Sequence, residues 1–400
     1  MKCLMFGLAC DEEQFDKYIK ATPNPYSVAH YLFEFKLIEE LEKSFTIEHN
    51  YILQKKNRQL KNSFIKASKR NITKKTHTKY LSFLNLPIIN FLTIFFSTFF
   101  RIVMTALKSK EEFWVLSTIN YFPVALGTIC ATKLMKRKNV IIFTDCSVGY
   151  AYDKVEENFI KKQIKRVYKG IISTLEQNYD GYILFSPAMN ELVNKKNKPW
   201  CVMEGFFNQN GIDLNRVKRF DKFILLYAGT IIETLGLQEL VEAFKMIDKD
   251  MELWIYGEGD YKEELMRRSE GDSRIKFFGF VNRAELFEIE KKVSLLVNVR
   301  DPKLAYTKYS FPSKSFEYLA SATPFLSTRL MCYPKEYEKY IFFIEDNSPE
   351  TIANKIVSIY KIDRDERVDF GIKAQEFILK YKNSEKQVDK IKEFIEREII

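Results

Sequence analysis

The chain has 400 residues, 46% of them hydrophobic and 29% charged, and a formal net charge of +10 at pH 7. This length suits two domains, and the apolar fraction supplies two ordinary cores. The positive charge belongs to residues 1–200, which hold 31 Lys and Arg against 18 Asp and Glu, whereas residues 201–400 hold 32 against 35. Because no basic stretch is interleaved with stacking aromatics on a recognisable module, we do not expect nucleic acid as a partner.

The amino terminus and the cysteines indicate a cytoplasmic protein. The opening MKCLMFGLAC is too short an apolar run for a signal peptide and predicts a first strand instead. The six cysteines show neither metal-ligand spacing nor a paired framework. A reducing compartment is therefore the simplest expectation.

Apolar, β-rich segments alternate with helical patterns through the first half of the chain. A helix is predicted from Tyr26 to Lys43, and the candidate strands are KCLMFGL, FTIEHNYIL, FWVLST, NVIIFTD, DGYILFS and WCVMEG. This alternation predicts a parallel sheet covered by helices. We expect a first domain over residues 1–208, with the polar stretch 208–221 as the interdomain linker.

A basic stretch and an uncharged stretch adjoin each other in this domain. Residues 54–79 hold ten Lys or Arg and no acidic residue, and residues 81–100 carry no formal charge. Together they predict binding to an anionic membrane surface, where each basic residue contributes about 1 kcal/mol. Pro87, Asn85 and Asn90 interrupt the uncharged stretch and argue against a membrane span. We expect an amphipathic interfacial helix, with a helix buried in the core as the alternative.

The second half alternates strand and helix strictly. The strands FILLYAGT, MELWIYGEG, RIKFFGFV and VSLLVNVR are apolar on both faces, which is typical of a parallel sheet covered by helices. Ligands of such sheets bind at the carboxyl ends of the strands. Those ends carry Gly229, Thr230, Gly257, the residues around Phe280, and Arg300.

Residues 310–328, SFPSKSFEYLASATPFLST, predict a helix that begins at a ligand site. Pro312 suits the first turn because its missing N–H would have had no partner there. Ser313 and Lys314 add free amides and a cation at the positive end of the helix dipole, where anions bind. Glu317 follows as a lone carboxylate one turn inside.

These segments together resemble the donor-binding domain of family-four glycosyltransferases, which have the α/β GT-B fold. The matching strings are YAGTIIETLGLQELVEAF, IYGEGD, IKFFGFVNRAEL and FPSKSFEYLASATPFLST, followed by IEDNSPE. Each string alone is weak, but their order and spacing make the match specific. The resemblance implies two Rossmann-like parallel-sheet domains facing across a cleft. The donor domain would cover residues 209–382, and a helix over residues 383–400 would cross back to the first domain.

The resemblance also implies roles for several residues of the donor site. Glu317 would bind the ribose hydroxyls, and amides near Ser313 would bind the diphosphate or the sugar. Backbone near Phe280 and Val281 would hold the base. The loops of Gly229, Thr230 and Gly257 would complete the site.

Three positions depart from the family pattern. The family usually has a second glutamate eight residues before the helix glutamate, and Tyr309 stands there. A frequent Arg and Lys of the family are replaced by Thr230 and Leu235. A departing nucleoside diphosphate gains negative charge and needs cationic donors. We therefore predict that Arg300 and Lys314 supply them.

Two residues of the first domain are candidates for acceptor binding. His30 lies at the start of the helix after the first strand, where a GT-B enzyme would receive its acceptor; an ordinary helix histidine is the alternative. Asp145 ends the strand NVIIFTD and would position an acceptor hydroxyl; a helix cap is the alternative.

We therefore expect a glycosyltransferase that moves a sugar from a nucleotide-sugar donor to a membrane-borne, lipid-linked glycan with retention of anomeric configuration. No metal or further cofactor is expected. The expected setting is capsule or surface-polysaccharide assembly by a peripheral protein at the inner face of the plasma membrane. A non-catalytic partner subunit and a sugar-nucleotide epimerase of the same fold are the alternatives.

Overall fold

The chain forms two compact units in the computed structural model. The first unit takes the described residues up to Glu204 together with Ser384–Ile400, and the second takes Gly205–Asn383. The structure describes residues 1–13, 15, 26–51, 64–65, 68–86, 89–109, 111–144 and 159–400.

The first unit is built on a twisted, mostly parallel sheet. Its described strands are β1 (Lys2–Gly7), β2 (Thr46–Tyr51), β3 (Phe64–Ile65), β4 (Ser68–Asn71), β5 (His77–Tyr80), β6 (Phe83–Leu84), β7 (Phe113–Ser117), β8 (Asn139–Phe143), β9 (Gly181–Leu184) and β10 (Trp200–Val202). The main sheet has the order β10-β9-β8-β7-β1-β2-β5-β4, and β3 pairs separately with β6. Only β4 runs antiparallel to its neighbour among the described strands of the main sheet. Strands β7, β8 and β9 are buried along their whole length because helices cover both faces.

Helices cover this sheet, and two of them pack unusually close together. The described helices are α1 (Tyr26–Leu41), α2 (Ile89–Lys108), α3 (Phe122–Leu134), α4 (Phe159–Glu176) and α5 (Met189–Val193). A Cβ placed on Gly127 of α3 would lie 2.9 Å from the Phe95 carbonyl oxygen of α2. Gly127 is therefore needed for this close approach.

The second unit is a six-stranded parallel sheet within the described chain. Its strands are β11 (Phe223–Ala228), β12 (Met251–Tyr256), β13 (Ile275–Gly279), β14 (Leu295–Asn298), β15 (Phe325–Thr328) and β16 (Phe342–Ile344), in the order β13-β12-β11-β14-β15-β16. Its helices are α6 (Leu237–Lys245), α7 (Lys262–Ser269), α8 (Arg283–Glu290), α9 (Lys314–Ala320), α10 (Pro349–Tyr360) and α11 (Arg364–Tyr381). Separate apolar clusters fill the two faces of the sheet.

The strand order of each unit reverses at one place. In the second unit β11 and β14 lie side by side although two strands, β12 and β13, come between them in the sequence. In the first unit β1 lies between β2 and β7. Ligands of doubly wound sheets bind beside the carboxyl ends of the strands at this switch point. The prediction of an α/β chain with Rossmann-like parallel-sheet units is confirmed.

The boundary between the units differs from the sequence-based boundary after residue 208. The polar stretch 208–221 packs on the second unit, where Lys291 Nζ donates to the Asp213 carbonyl at 2.9 Å and Arg219 donates to the Ala322 carbonyl at 2.6 Å. The Lys291 side chain holds the backbone of this stretch, and Arg219 of the stretch reaches a carbonyl just after α9, so a polar composition did not mean a free linker. Helix α12 (Ser384–Phe394) belongs to the first unit and packs against α1, where Ser384 donates to Glu40 at 3.1 Å.

The uncharged stretch 81–100 is not one helix. Its first part contains β6, and α2 begins at Ile89 and continues to Lys108. Helix α2 is long and apolar enough to cross a membrane by length and composition. However, one face of it packs against α3, and Arg101 in its interior forms an ion pair with Glu48 at 2.5 Å. The alternative of a helix buried in the core does not describe α2 fully. Leu92, Phe96 and Phe100 on this helix are 57%, 48% and 54% exposed.

Candidate functional site

The switch point of the second unit gathers most of the predicted donor-site residues. Gly229 and Thr230 follow β11 and are exposed, and Arg300 follows β14. The Gly257 amide after β12 donates to the Gly279 carbonyl at the end of β13 at 2.8 Å. This hydrogen bond holds the loops after β12 and β13 at the same edge of the sheet. The fold thus brings together residues that are up to 71 positions apart in sequence.

Two glycines allow these loops to lie against one another. Gly257 has a φ of 133°, and a Cβ there would lie 1.8 Å from the Gly229 carbonyl oxygen. Gly236 has a φ of 77°, and a Cβ there would lie 2.0 Å from the Val299 carbonyl oxygen. A side chain at either position would force the backbone apart. Gly236 was missed as a site residue, although it lies inside one of the matching strings and places the start of α6 beside Arg300.

Arg300 is a cation with unused hydrogen-bonding capacity. Its Nε is buried and has no hydrogen-bond partner among the residues that the structure describes. Burial raises the pKa of Tyr227, Tyr306 and Tyr333, and the positive charge of Arg300 opposes this rise in all three. The guanidinium therefore lies among phenol groups rather than beside a carboxylate. A buried unpaired donor is costly, and an anionic ligand at this edge would satisfy it.

Glu317 is held in place by two basic side chains. Arg283 Nε donates to Glu317 Oε1 at 2.6 Å, and Lys314 donates to Oε2. Burial alone would raise the pKa of Glu317, but Lys314 and Arg283 outweigh it and hold the pKa below its usual range. Glu317 is therefore ionised at neutral pH. Its two oxygens keep lone pairs that can accept hydrogen bonds from hydroxyl groups. This geometry is compatible with ribose binding, which stays a prediction.

Lys314 is not a free cation. Its Nζ lies 2.9 Å from Glu290 Oε1 and also contacts Glu317. Burial raises the pKa of Glu290 to about 7, and the positive charge of Lys314 opposes this rise. The two carboxylates engage Lys314 within α8 and α9, so its main visible role is to position Glu317. Its predicted contact with a diphosphate stays a prediction.

The remaining donor-site candidates lie on loops at this edge or at the start of α9. Phe280 follows β13 and is 77% exposed, and Val281 beside it is half-buried. Tyr309 follows the 3-10 turn Ala305–Lys308, with the Lys308 ammonium 5.7 Å from its ring centroid. Ser313 is exposed before α9. Their roles toward base, sugar and phosphate stay predictions.

The switch point of the first unit is organised around a buried carboxylate, Glu34 of α1. The amides of Leu8 and Ala9, directly after β1, donate to its Oε2 at 2.6 and 2.9 Å. Thr118, after β7, donates to its Oε1 at 2.6 Å. A Cβ on Gly7 would overlap this carboxylate. Glu34 therefore holds the loop after β1 against α1.

Two histidines flank Glu34. Its oxygens lie 3.8 Å from His30 Nε2 and 3.5 Å from His49 Nε2. Neither nitrogen has a hydrogen-bond partner among the described residues. Burial would raise the pKa of Glu34, but His49, His30 and the Thr118 hydrogen bond lower it below its usual range.

His30 thus lies at the expected edge, and its acceptor role stays a prediction. Asp145 lies outside the described residues. Sequence reasoning missed Glu34 and His49; Glu34 is four residues after His30 on the same helix, which was an available signal.

Metal binding has no structural candidate in the described part of the chain, where no group of three or more His, Cys, Asp or Glu side chains has an arrangement that could hold a metal ion. Two Asp-x-Asp sequences occur, 248–250 and 363–365, and an aspartate of each is engaged by another group of the protein. Asp250 pairs with Lys222 at 3.1 Å, and Asp363 caps α11 by accepting from the Asp365 amide at 2.8 Å. Metal independence stays a prediction.

The family comparison covers the unit that contains Arg300 and Glu317. Residues 222–361 match the family model described as "Glycosyl transferases group 1". No curated protein matches the chain in sequence. The predicted resemblance to glycosyltransferases is thereby confirmed, and it is carried by residues 222–361.

Solved structures are similar over nearly the whole chain. HepE of Anabaena in complex with UDP has a TM-score of 0.67 at 13% identity, covering 99% of this chain and 100% of that one. Sucrose-phosphate synthase from Thermosynechococcus elongatus has a TM-score of 0.63 at 13% identity, covering 99% and 98%. The lipopolysaccharide outer core galactosyltransferase WaaB in its apo form has a TM-score of 0.62 at 13% identity, covering 99% of each chain. At these identities the similarity shows the fold, which is GT-B.

Proposed function

We propose that this chain is a glycosyltransferase whose second unit binds a nucleotide-sugar donor at the switch point of its sheet. The observation that carries the proposal is the unpaired Arg300 Nε beside the ends of β11 and β14, inside a group 1 glycosyltransferase domain. Arg300 meets the leaving diphosphate, and Glu317, fixed by Arg283 and Lys314, accepts from the ribose hydroxyls. The electrostatic contribution of Arg300 grows as the leaving group gains charge.

UDP is the nucleotide that the comparisons favour. HepE structures contain UDP, UDP with glucose, or UDP-glucose. We extend this to a UDP-sugar donor and a retaining transfer without metal. The first unit receives the acceptor near His30 and the Glu34 cluster.

The acceptor that we propose is a lipid-linked glycan, in surface-polysaccharide or capsule assembly at the inner face of the plasma membrane. WaaB acts in lipopolysaccharide outer core synthesis by its name, which supports this class. In this chain, α2 exposes apolar side chains, and α4 exposes Val167, Tyr168 and Ile171 beside the exposed basic residues Arg166 and Lys169. Helix α3 contacts both helices, so these exposed side chains belong to one helical layer of the first unit. Such a layer suits shallow insertion into an anionic surface.

One residue of the predicted basic stretch does not fit a membrane role. Arg70 pairs with Asp11 at 3.1 Å and Glu13 at 2.8 Å. Lys69, Lys74 and Lys75 are exposed, and the structure does not describe residues 52–63. A glutamine series for membrane binding should therefore use these three lysines and leave Arg70 unchanged.

The test of the transferase proposal is a donor screen with the purified full-length chain. Thermal shift with UDP-glucose, UDP-galactose, UDP-N-acetylglucosamine and GDP-mannose identifies the donor, because a ligand at 100 times its Kd stabilises by about 2.7 kcal/mol. Turnover is then measured as nucleotide release with a lipid-extract acceptor, with and without EDTA. Proton NMR of the product's anomeric signal tests retention.

Each alternative has its own result in this screen. Donor binding without turnover on any acceptor would favour a non-catalytic subunit. This alternative is supported by Tyr309 and Thr230, which stand where the family usually has a glutamate and an arginine. Conversion of the donor sugar without an acceptor would identify an epimerase. Failure of every nucleotide sugar to bind would overturn the donor site itself.

A further inference from the structure

A groove of about 1020 Å³ lies along α2 of the first unit, away from both switch points. We call it the α2 groove. Its apolar lining consists of Leu81, Phe83, Leu84, Phe96, Phe100 and Met104. Pockets that bury small ligands have volumes of about 300–1,000 Å³, so this groove is large enough for an amphiphile.

The groove is exposed although it is apolar. Phe96, Phe100 and Met104 are 48%, 54% and 44% exposed, and the Phe96 and Phe100 rings stack with centroids 6.0 Å apart. The buried positions of α2 include the polar residues Asn90 and Thr98. This helix therefore turns large apolar side chains outward, which marks a binding surface rather than a core.

The groove also carries basic side chains. Lys2, Lys79, Arg101 and Lys108 line it together with a single carboxylate, Glu48. Glu48 pairs with Lys2 at 2.7 Å and with Arg101 at 2.5 Å. Lys79 and Lys108 form no ion pair within the described residues. Burial lowers the pKa of Lys79, and the positive charges of Arg101 and Lys108 lower it further.

The basic side chains follow the strands rather than one end of the sheet. Lys2 opens β1, whereas Lys79 is in register with Asn50, the partner of Phe6 near the other end of that strand. From Thr93 to Lys108 the groove follows α2 for about 22 Å at 1.5 Å per residue. One leaflet of a bilayer has a hydrocarbon layer of about 15 Å, half of the full core. The length therefore accommodates one hydrocarbon chain and a head group.

We propose that the α2 groove binds one molecule of a phosphate-headed membrane lipid, with the phosphate between Lys79 and Lys108 and one hydrocarbon chain along Phe83, Phe96 and Phe100. Charge complementarity selects an anionic head group, and the apolar lining selects a chain rather than a free phosphate. The bound lipid anchors the first unit. This site does not depend on sugar transfer, so its failure would leave the transferase proposal untouched.

The test is calorimetric titration of the full-length protein with dodecyl phosphate below its micelle concentration. Inorganic phosphate tests the head group alone, and dodecyltrimethylammonium tests the chain with the opposite charge. We expect dodecyl phosphate to bind at least tenfold more tightly than either, a difference of about 1.4 kcal/mol. The double variant Lys79→Gln, Lys108→Gln should lose about tenfold in affinity.

A matched pair of variants on α2 tests the chain site. Phe100→Gln should weaken dodecyl phosphate binding several-fold. Leu107→Gln should not, because Leu107 is 68% exposed on the same helix but does not line the groove. Flotation with phosphatidylglycerol vesicles should show the same order. Equal effects of the two variants, binding of phosphate as tight as that of dodecyl phosphate, or vesicle binding without any dodecyl phosphate binding would each overturn the proposal.

Discussion

Each unit contains a doubly wound sheet, yet the two switch points differ in the charge that they carry and in whether that charged group is hydrogen-bonded. Arg300 in the second unit has a buried Nε without a partner among the described residues. Glu34 in the first unit accepts three hydrogen bonds, from Leu8, Ala9 and Thr118. Buried charges are stable only when paired or hydrogen-bonded. One unit thus leaves a buried cationic donor without a partner among the described residues, whereas the other uses its carboxylate to hold a loop.

The carboxylates Glu317 and Glu34 of the two units differ in the same way. In the second unit Glu317 is accessible enough to meet a ligand, with 18% of its side chain exposed, and two cations set its orientation. In the first unit Glu34 is fully buried. Substitution of these residues tests whether the first unit's charge is structural and the second unit's is functional.

The largest expected effect is the loss of stability on removing Glu34. Glu34→Ala leaves the Leu8 and Ala9 amides and Thr118 without their acceptor, so we expect the free energy of unfolding to fall by about 3–5 kcal/mol. Urea denaturation followed by circular dichroism measures it. Glu39→Ala on the same helix is the control, because Glu39 is more exposed and, among the described residues, its one ion pair is with Lys36. A change for Glu34→Ala no larger than that of the control would contradict a structural role.

Arg300→Gln should affect turnover more than folding. Removing one donor to a developing negative charge typically costs about 10²–10³ in kcat, and the Kd for nucleotide should change less. Single-turnover kinetics and calorimetry separate the two. Arg329→Gln is the control, since Arg329 follows the neighbouring strand β15 but pairs with Glu338 and Glu345. Wild-type turnover in Arg300→Gln would show that another group meets the leaving diphosphate.

Glu317→Gln should weaken nucleotide binding by roughly 1.5–3 kcal/mol, the range for hydrogen bonds to a charged group. Glutamine preserves the shape while removing the charge that accepts from ribose hydroxyls and from Arg283. The control is Glu264→Gln, which also removes an arginine-paired carboxylate but lies on α7, where Glu264 pairs with Arg267 and Arg268. If nucleotide affinity is unchanged while stability falls, Glu317 serves only the ion-pair network.

The sequence predicted the regular part of the fold well. Strands β7, β8 and β11 are mostly apolar segments that are buried along their whole length, and burial on both faces leaves such a segment few other structures. The helix around Glu317 was found because Pro312 marks its start. These features depend on residues close together in sequence.

The missed features depend on contacts between distant residues. Lys314 was predicted to meet the diphosphate, and its contact with Glu290 of α8, 24 positions away, has no signal in the local sequence. The sequence around Glu34 does not distinguish it from other helix carboxylates, because its partners follow β1 and β7. The stretch 208–221 resembled a linker because its anchors, such as Lys291, come from elsewhere in the chain. No periodicity carries such information.

Glu290 gives the smallest expected effect, and it concerns pH. Burial raises its pKa to about 7, with Lys314 opposing, whereas an exposed glutamate titrates near 4.3. The folded state therefore binds this proton more tightly than the unfolded state. The stability contributed by this proton is fully present below about pH 4 and is lost as pH rises through 7. Wild-type stability relative to Glu290→Gln should thus decline between pH 5 and 8.

Urea midpoints at pH 5, 6, 7 and 8 measure this decline. Glu317 does not confound it, because its pKa is lowered and its contribution is lost only in more acidic solution. Glu288→Gln is the control on α8, since Glu288 pairs with Lys291 at 2.7 Å and is partly exposed. Parallel curves for wild type and Glu290→Gln would mean that Lys314 keeps Glu290 charged throughout. In that case the second unit would hold both Glu290 and Glu317 ionised, with Lys314 between them.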